Sequence, residues 1–347
     1  MHPIRTLKTA VAAALLATVA APAIAQDAIT LKVHHFLPPV SNAHVKMIEP
    51  WCAKIARESG NRLKCQIYPS MQLGGSPPQL FDQVKDGVAD IVWTLPGYQA
   101  GRFLATEVFE LPFMVASAEK ASKALWDYAA KNAREEYKGV KPLIFHVIPG
   151  TELHTTKQQI KVMADFKGMK LRAPNRMATK LVAALGATPV PMPVPQVPEA
   201  LAKGVIDGTV LPWEVIPSLK IQEIAKFHTE TPAGTPFIAT SAFLFAMNPA
   251  KYESLPADLK KVIDANSGLE TSKWAGKVFD GPEVPARKIA ADGKATFIII
   301  SPAEYDRWRK ATDQVDDEWM KEAGNKGANG RALYDEAVML LKRYGSL

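Results

Sequence analysis

The sequence predicts an α/β protein of two lobes, each built on a mixed, mostly parallel sheet. Strand, helix and strand succeed one another around "GGSPPQLFDQVKDGVADIVWTLP", the rhythm of strands joined by crossover helices. The same elbow returns about 117 residues later: "DGVADIVW" at 86–93 aligns with "KGVIDGTV" at 203–210, matching Gly87 with Gly204, Val88 with Val205 and Asp90 with Asp207. A chain of 347 residues also exceeds the size that a single core usually serves.

The elements follow in order. "MHPIRTLKTAVAAALLATVAAPAIAQ" reads as a basic start, an apolar stretch and a small-x-small site at Ala23-Ile24-Ala25, the form of a leader cleaved after Ala25. Its apolar run falls short of the ~20 residues of a membrane span. The mature protein is therefore expected in the periplasm and not embedded in a membrane. "AITLKVHHF" is a first strand, and Ser41 or Asn42 caps the helix after it, which Pro50 starts or kinks. Val45, Ile48, Cys52 and Ile55 share a helical face. Cys52 thus faces the next strand, "RLKCQIYP", which carries Cys65, the other cysteine of the chain. The pair is either a disulfide, which export favours, or two buried thiols.

Ser76 caps the next helix, with Pro77 in its first turn, Leu80, Phe81 and Val84 on one face, and Gly87 as its stop. "ADIVWTL", "KPLIFHVIPGT" and "MKLRAP" read as strands, and "RMATKLVAALG" as a short amphipathic helix. The proline-rich "ATPVPMPVPQVPEAL" suits an edge or a connector. "PFIATSAFLFAMNPA" is another strand, and the C-terminal segments read as charged surface helices. The expected division places 26–149 with about 233–278 in the first lobe, and 150–232 with about 279–347 in the second.

Arg172 ends a strand, Pro174 blocks its continuation, and Asn175 caps the helix beginning near Arg176. In open α/β sheets this edge is where ligands sit, helix N-termini favour anions, and arginine holds a carboxylate through two parallel hydrogen bonds. An exposed or internally paired arginine is the competing reading. Charge offers only mild help: 42 Lys+Arg against 35 Asp+Glu gives +7 without basic blocks, which argues against nucleic acid. His34 and His35 point to opposite faces of a strand and His44 lies beyond a loop, so no metal centre is expected.

"IYPSMQLGGSPPQLFDQVKDGVADIVWTLPG", "VFELPFM", "FKGMKLRAPN", "LGATPVPMP" and "ALAKGVIDGTVLPWE", in this order over nearly the whole mature chain, resemble the extracytoplasmic substrate-binding proteins of TRAP (tripartite ATP-independent periplasmic) transporters. The resemblance implies a type II-like periplasmic-binding-protein architecture, two lobes closing over an organic acid, and delivery to membrane permease subunits. It also implies that Arg172 pairs with the ligand carboxylate. Two departures stand out. Where many relatives have a second arginine after "GT", this chain has Glu152; where several have asparagine in "DGxxNP", it has Leu211. A second ligand carboxylate near Glu152 would be repelled.

An aromatic or hydroxyaromatic monocarboxylate therefore fits better than a C4-dicarboxylate. Trp93, Tyr98 and Trp213 would form apolar walls, unless they are ordinary core packing. Glu152 or Glu214 would accept a hydrogen bond from a ligand hydroxyl. His35, Phe36 and Asn175 complete the expected contacts. No cofactor is expected, although Glu214 would alternatively help to hold a cation bridging a 2-keto or 2-hydroxy acid. The competing classes are a periplasmic enzyme with Glu152 or Glu214 as base, and a sensory module. A monomer is the default.

Overall fold

A computed structural model describes residues 28–347; the leader, 1–25, lies outside the described residues. The strands are β1 (Ile29–His34), β2 (Leu63–Tyr68), β3 (Ile91–Thr94), β4 (Lys141–Val147), β5 (Glu152–Thr155), β6 (Lys170–Ala173), β7 (Thr188–Pro191), β8 (Gly208–Leu211), β9 (Phe227–Glu230), β10 (Ala242–Met247) and β11 (Thr296–Ile299). They form two mixed sheets, ordered β2-β1-β3-β10-β4 and β11-β9-β5-β8-β6-β7. In each, one strand runs antiparallel to both neighbours, β10 in the first sheet and β5 in the second. Those two strands follow the first two of the three places where the chain passes from one sheet to the other, the third lying between β10 and β11.

The repeated elbow has the same construction in both sheets. Helix α1 (Glu49–Glu58) follows β1, and α2 (Leu80–Lys85) turns into β3 through Gly87, whose φ of +80° suits glycine. Asp90 then reaches back across the sheet: its Oδ2 accepts from the Lys32 N–H at 2.7 Å, and its own N–H donates to the Lys32 carbonyl at 3.0 Å. In the second sheet Asp207 does the same to Lys170, at 2.8 Å in each direction. The matched aspartates thus fix the register of corresponding strands, which explains why they share a sequence context.

Cys52 on α1 and Cys65 on β2 are disulfide-bonded, with Cα atoms 5.7 Å apart. Pro50 is the second residue of α1, where a π-helical turn (Ala43–Ile48) gives way to α geometry, so it marks an irregularity within the helix and not its start. The proline-rich segment does form an edge strand, β7, parallel to β6.

The C-terminal helices depart from expectation. In Pro302–Asn325, Trp308, Thr312, Val315 and Trp319 are buried along one stripe, and Trp308 meets Phe166 edge-on at 5.1 Å. Their spacing is helical, but the dense charge of the other faces disguises it. Gly330–Tyr344 packs on α3 (Ala118–Asn132), which also packs on β4 of the first sheet. This last helix, expected with 279–347 in the second lobe, packs on both Pro302–Asn325 and the first-sheet helix α3.

Side chains also join the two lobes. Gly150, in the 148–151 crossing, lies against Phe237 of the returning one; a Cβ there would come within 2.1 Å of that ring. Arg176, from the helix after β6, pairs with Glu107 beside the first sheet and with Glu322. Nearby, Glu110 accepts the Ala242 N–H at 3.0 Å while its second oxygen is buried without a partner. Burial is the chief cause that pushes this carboxyl up to about 8, with the charge of Glu107 adding to it and Asn175 and Arg176 opposing.

Two outcomes follow. Replacing both Cys52 and Cys65 by serine should lower unfolding free energy by ~2–3 kcal/mol in urea titrations, the scale for a short closed loop; unchanged stability would show that the staple is idle. Glu110 keeps its proton in the folded chain up to about pH 8 and loses it near 4.5 when unfolded, so its contribution is full at low pH and is lost as pH rises through that window. The stability of Glu110→Gln relative to wild type should therefore rise between pH 5 and 8, by at most ~1.4 kcal/mol per unit, whereas a constant difference would contradict a neutral Glu110.

Candidate functional site

The short grammar around Arg172 folds as its residues dictate. β6 ends at Ala173, Pro174 interrupts it, and Asn175 Oδ1 accepts the Ala178 N–H at 2.8 Å, capping the helix Arg176–Ala184. Arg172 is 1 % exposed. Its Nε donates to the Met192 carbonyl at 3.0 Å and its Nη1 to the Val210 carbonyl at 3.2 Å, so backbone beyond β7 and within β8 fixes the plane of the guanidinium. Tyr98 OH lies beside it and accepts the Val194 N–H at 3.0 Å. Burial pulls the guanidinium down to about 10, with Tyr98 opposing, so it stays charged at neutral pH. Among the described residues no carboxylate forms an ion pair with it. Carbonyls satisfy N–H groups but leave a full positive charge in a dry place, an arrangement that is costly until an anion arrives.

Arg172 lines a cleft between the sheets together with Phe36, Trp93, Tyr98, Glu214 and Phe243, all predicted from sequence except Phe243. Trp93 stacks on Phe243 at 4.5 Å and on Phe36 at 5.0 Å, and its Nε1 donates to His146 at 2.9 Å. Leu95, Ile148, Val194 and Val215 make much of the remaining surface apolar. Glu214 is 7 % exposed, and its Oε2 is buried with no hydrogen-bond partner among the described residues. Burial, reinforced by the charge of Glu283, pushes its carboxyl up to about 8.

Other expected contacts lie elsewhere. Trp213 packs on His154, His228 and Phe297 and donates to Glu230 at 3.0 Å, so it serves as core beneath the strand ends. Thr151 lines the cleft where Glu152 was expected. The Glu152 carboxyl is buried near Glu230, Glu283 and Arg287, and burial followed by those two carboxylates pushes it well up. His35 sits behind the aromatic wall, hydrogen-bonded to His44 at 2.9 Å, and burial, with His44 beside it, lowers it to about 3. Asn175 spends its amide on Ser241 and Thr240. Phe243 was missed because β10 inserts beside β3 from 150 residues away; only its place in an apolar strand hinted at it. Among the described residues, no three His, Cys, Asp or Glu side chains converge as a metal ion would require, and no helix is long and apolar enough to cross a membrane.

Comparison with known proteins fits this geometry. The profile of the bacterial extracellular solute-binding proteins, family 7, matches residues 33–323. A TRAP solute-binding protein from Rhodoferax ferrireducens T118, solved with copurified benzoate, is 45% identical with a TM-score of 0.90, over 91% of this chain and 98% of that one. A marine metagenome TRAP solute-binding protein specific for aromatic acid ligands, solved with 3-hydroxybenzoate, is 47% identical with a TM-score of 0.90, over 92% and 99%. The C4-dicarboxylate-binding periplasmic protein DctP of Rhodobacter capsulatus is 23% identical over 90% of this chain and 92% of its own. The chain belongs to the family 7 bacterial extracellular solute-binding proteins, the group that includes the TRAP solute-binding proteins.

Proposed function

We propose that this protein is the periplasmic receptor of a TRAP transporter and that it carries an aromatic monocarboxylate, bound by its carboxylate to Arg172, to the membrane permease. The observation that carries the reading is the buried guanidinium at a strand edge with no ion-paired carboxylate among the described residues. A ligand carboxylate supplies the missing charge through two parallel hydrogen bonds, worth roughly twice neutral ones. The stacked rings of Phe36, Trp93 and Phe243 favour a flat apolar body.

The relatives solved with benzoate and with 3-hydroxybenzoate support the same class. Opening and closing takes place about the crossings at 148–151 and 231–241, as in hinged binding proteins. The leader directs export and is removed after Ala25, and the mature chain acts as a monomer. It binds its ligand without altering it.

A thermal-shift screen of the mature protein against benzoates, arylacetates, 2-hydroxy acids and C4-dicarboxylates should raise Tm with aromatic monocarboxylates, a ligand at 100 times its Kd adding ~2.7 kcal/mol. A rise with C4-dicarboxylates alone would contradict the reading. In calorimetric titrations with benzoate, Arg172→Ala should weaken binding by about 100-fold or more, and Arg172→Lys should recover part of the loss because it keeps charge without the planar fork. Near-native affinity in the alanine variant would remove Arg172 from the site. NMR of the ligand after prolonged incubation should show it unchanged; conversion would favour the enzyme reading.

A further inference from the structure

We infer that Glu214 is a hydroxyl reader, so that the ligand is a ring-hydroxylated aromatic acid and not an unsubstituted one. The inference rests on the aromatic-acid reading of the cleft and deepens it. Two polar side chains in the cleft lining lack the partner that their burial demands. One is Arg172, which lacks an anion. The other is Glu214, in the short helical turn Trp213–Val215 after β8, which lines the same cleft and whose Oε2 is buried with no hydrogen-bond partner among the described residues.

An unmade hydrogen bond on a buried polar group costs more than a typical made one contributes, so a cleft that keeps such a group is shaped for something that satisfies it. Glu214 cannot serve as a second charge site. Arg172 is the one cationic residue among the described cleft lining, and it is matched by the ligand carboxylate. The charge that acts on Glu214 is that of another carboxylate, Glu283. A neutral carboxyl follows, and it offers one O–H donor and one carbonyl acceptor. A hydroxyl, itself both donor and acceptor, is its simplest complement. A second carboxylate would instead add an uncompensated negative charge beside it.

Glu152, the other carboxyl considered from sequence, is turned among Glu230, Glu283 and Arg287 and is not part of the lining. Sites built to hydrogen-bond a ligand hydroxyl discriminate strongly against analogues that lack it, because the buried group is then left unpaired.

The test titrates the mature protein with benzoate, 3-hydroxybenzoate and 4-hydroxybenzoate by calorimetry. At least one hydroxybenzoate should bind tenfold or more tightly than benzoate. In Glu214→Leu that ratio should fall to near one, while Glu214→Gln, whose amide still offers a donor and an acceptor, should keep most of it. Cooperative melting of each variant checks that it is folded. If wild type binds benzoate and both hydroxybenzoates equally well, the inference fails without recourse to any variant, and it fails equally if a folded Glu214→Leu keeps the preference. Neither result touches the role of Arg172. If none of the three acids binds, the aromatic-acid reading falls and this inference falls with it.

Discussion

A guanidinium held in a dry cleft without a counter-ion is the constraint around which the site is arranged. Such a charge is tolerable only if its N–H groups are occupied and water or an anion can reach it before the cleft closes. Arg172 meets the first condition in part, through Nε and Nη1, which donate to carbonyls of the two segments that flank its strand. This requires β6 to lie between β7 and β8, and it requires the strand to stop where Pro174 and the Asn175 cap stop it. The local sequence thus orients the side chain, whereas the sheet order supplies its acceptors. In the function proposed above the ligand meets the second condition, and binding is then the step that completes the electrostatics of the fold.

The rest of the cleft makes that step selective. Rings stacked between 4.5 and 5.0 Å apart form a wall with little polar capacity, so a ligand must present an apolar face to it. The wall belongs to the first sheet and Arg172 to the second, so the proposed acid would have one end on each lobe. The lobes already approach closely at Gly97, where an added Cβ would stand 3.0 Å from Asn175 and 3.2 Å from the Glu110 oxygens. A side chain there would make the neighbours give way by a few tenths of an ångström. Arg176 with Glu107 adds a polar tie beside it. Glu110 carries a cost in the same place, since its carboxyl is buried with one oxygen unpaired.

Much of this was legible in the sequence, and the limits have physical causes. The position of Arg172, the Asn175 cap, the Gly87 stop and the paired elbows depend on neighbours within a few residues, where backbone preferences act directly. The disulfide needed only that a helix pack on its following strand. Trp93, Tyr98 and Phe36 end strands or follow them, and the structure brings them into one cleft with Arg172. Trp213 and Glu152 lie outside that lining, because which face a side chain takes at a strand end depends on turns that composition does not fix. Phe243 required knowledge that β10 enters the first sheet antiparallel between β3 and β4, a pairing that no local pattern announces. The buried stripe of Trp308 and Trp319 was hidden by its charged surroundings.

The most direct measurement is a crystal structure of the mature protein grown with benzoate. The account predicts the carboxylate in a two-point contact with Arg172, at ordinary charge-assisted hydrogen-bond distances of about 2.7–2.9 Å, with the ring against Trp93, Phe36 and Phe243. A ligand seated elsewhere, or an Arg172 turned to a protein carboxylate with the acid bound to another group, would contradict it.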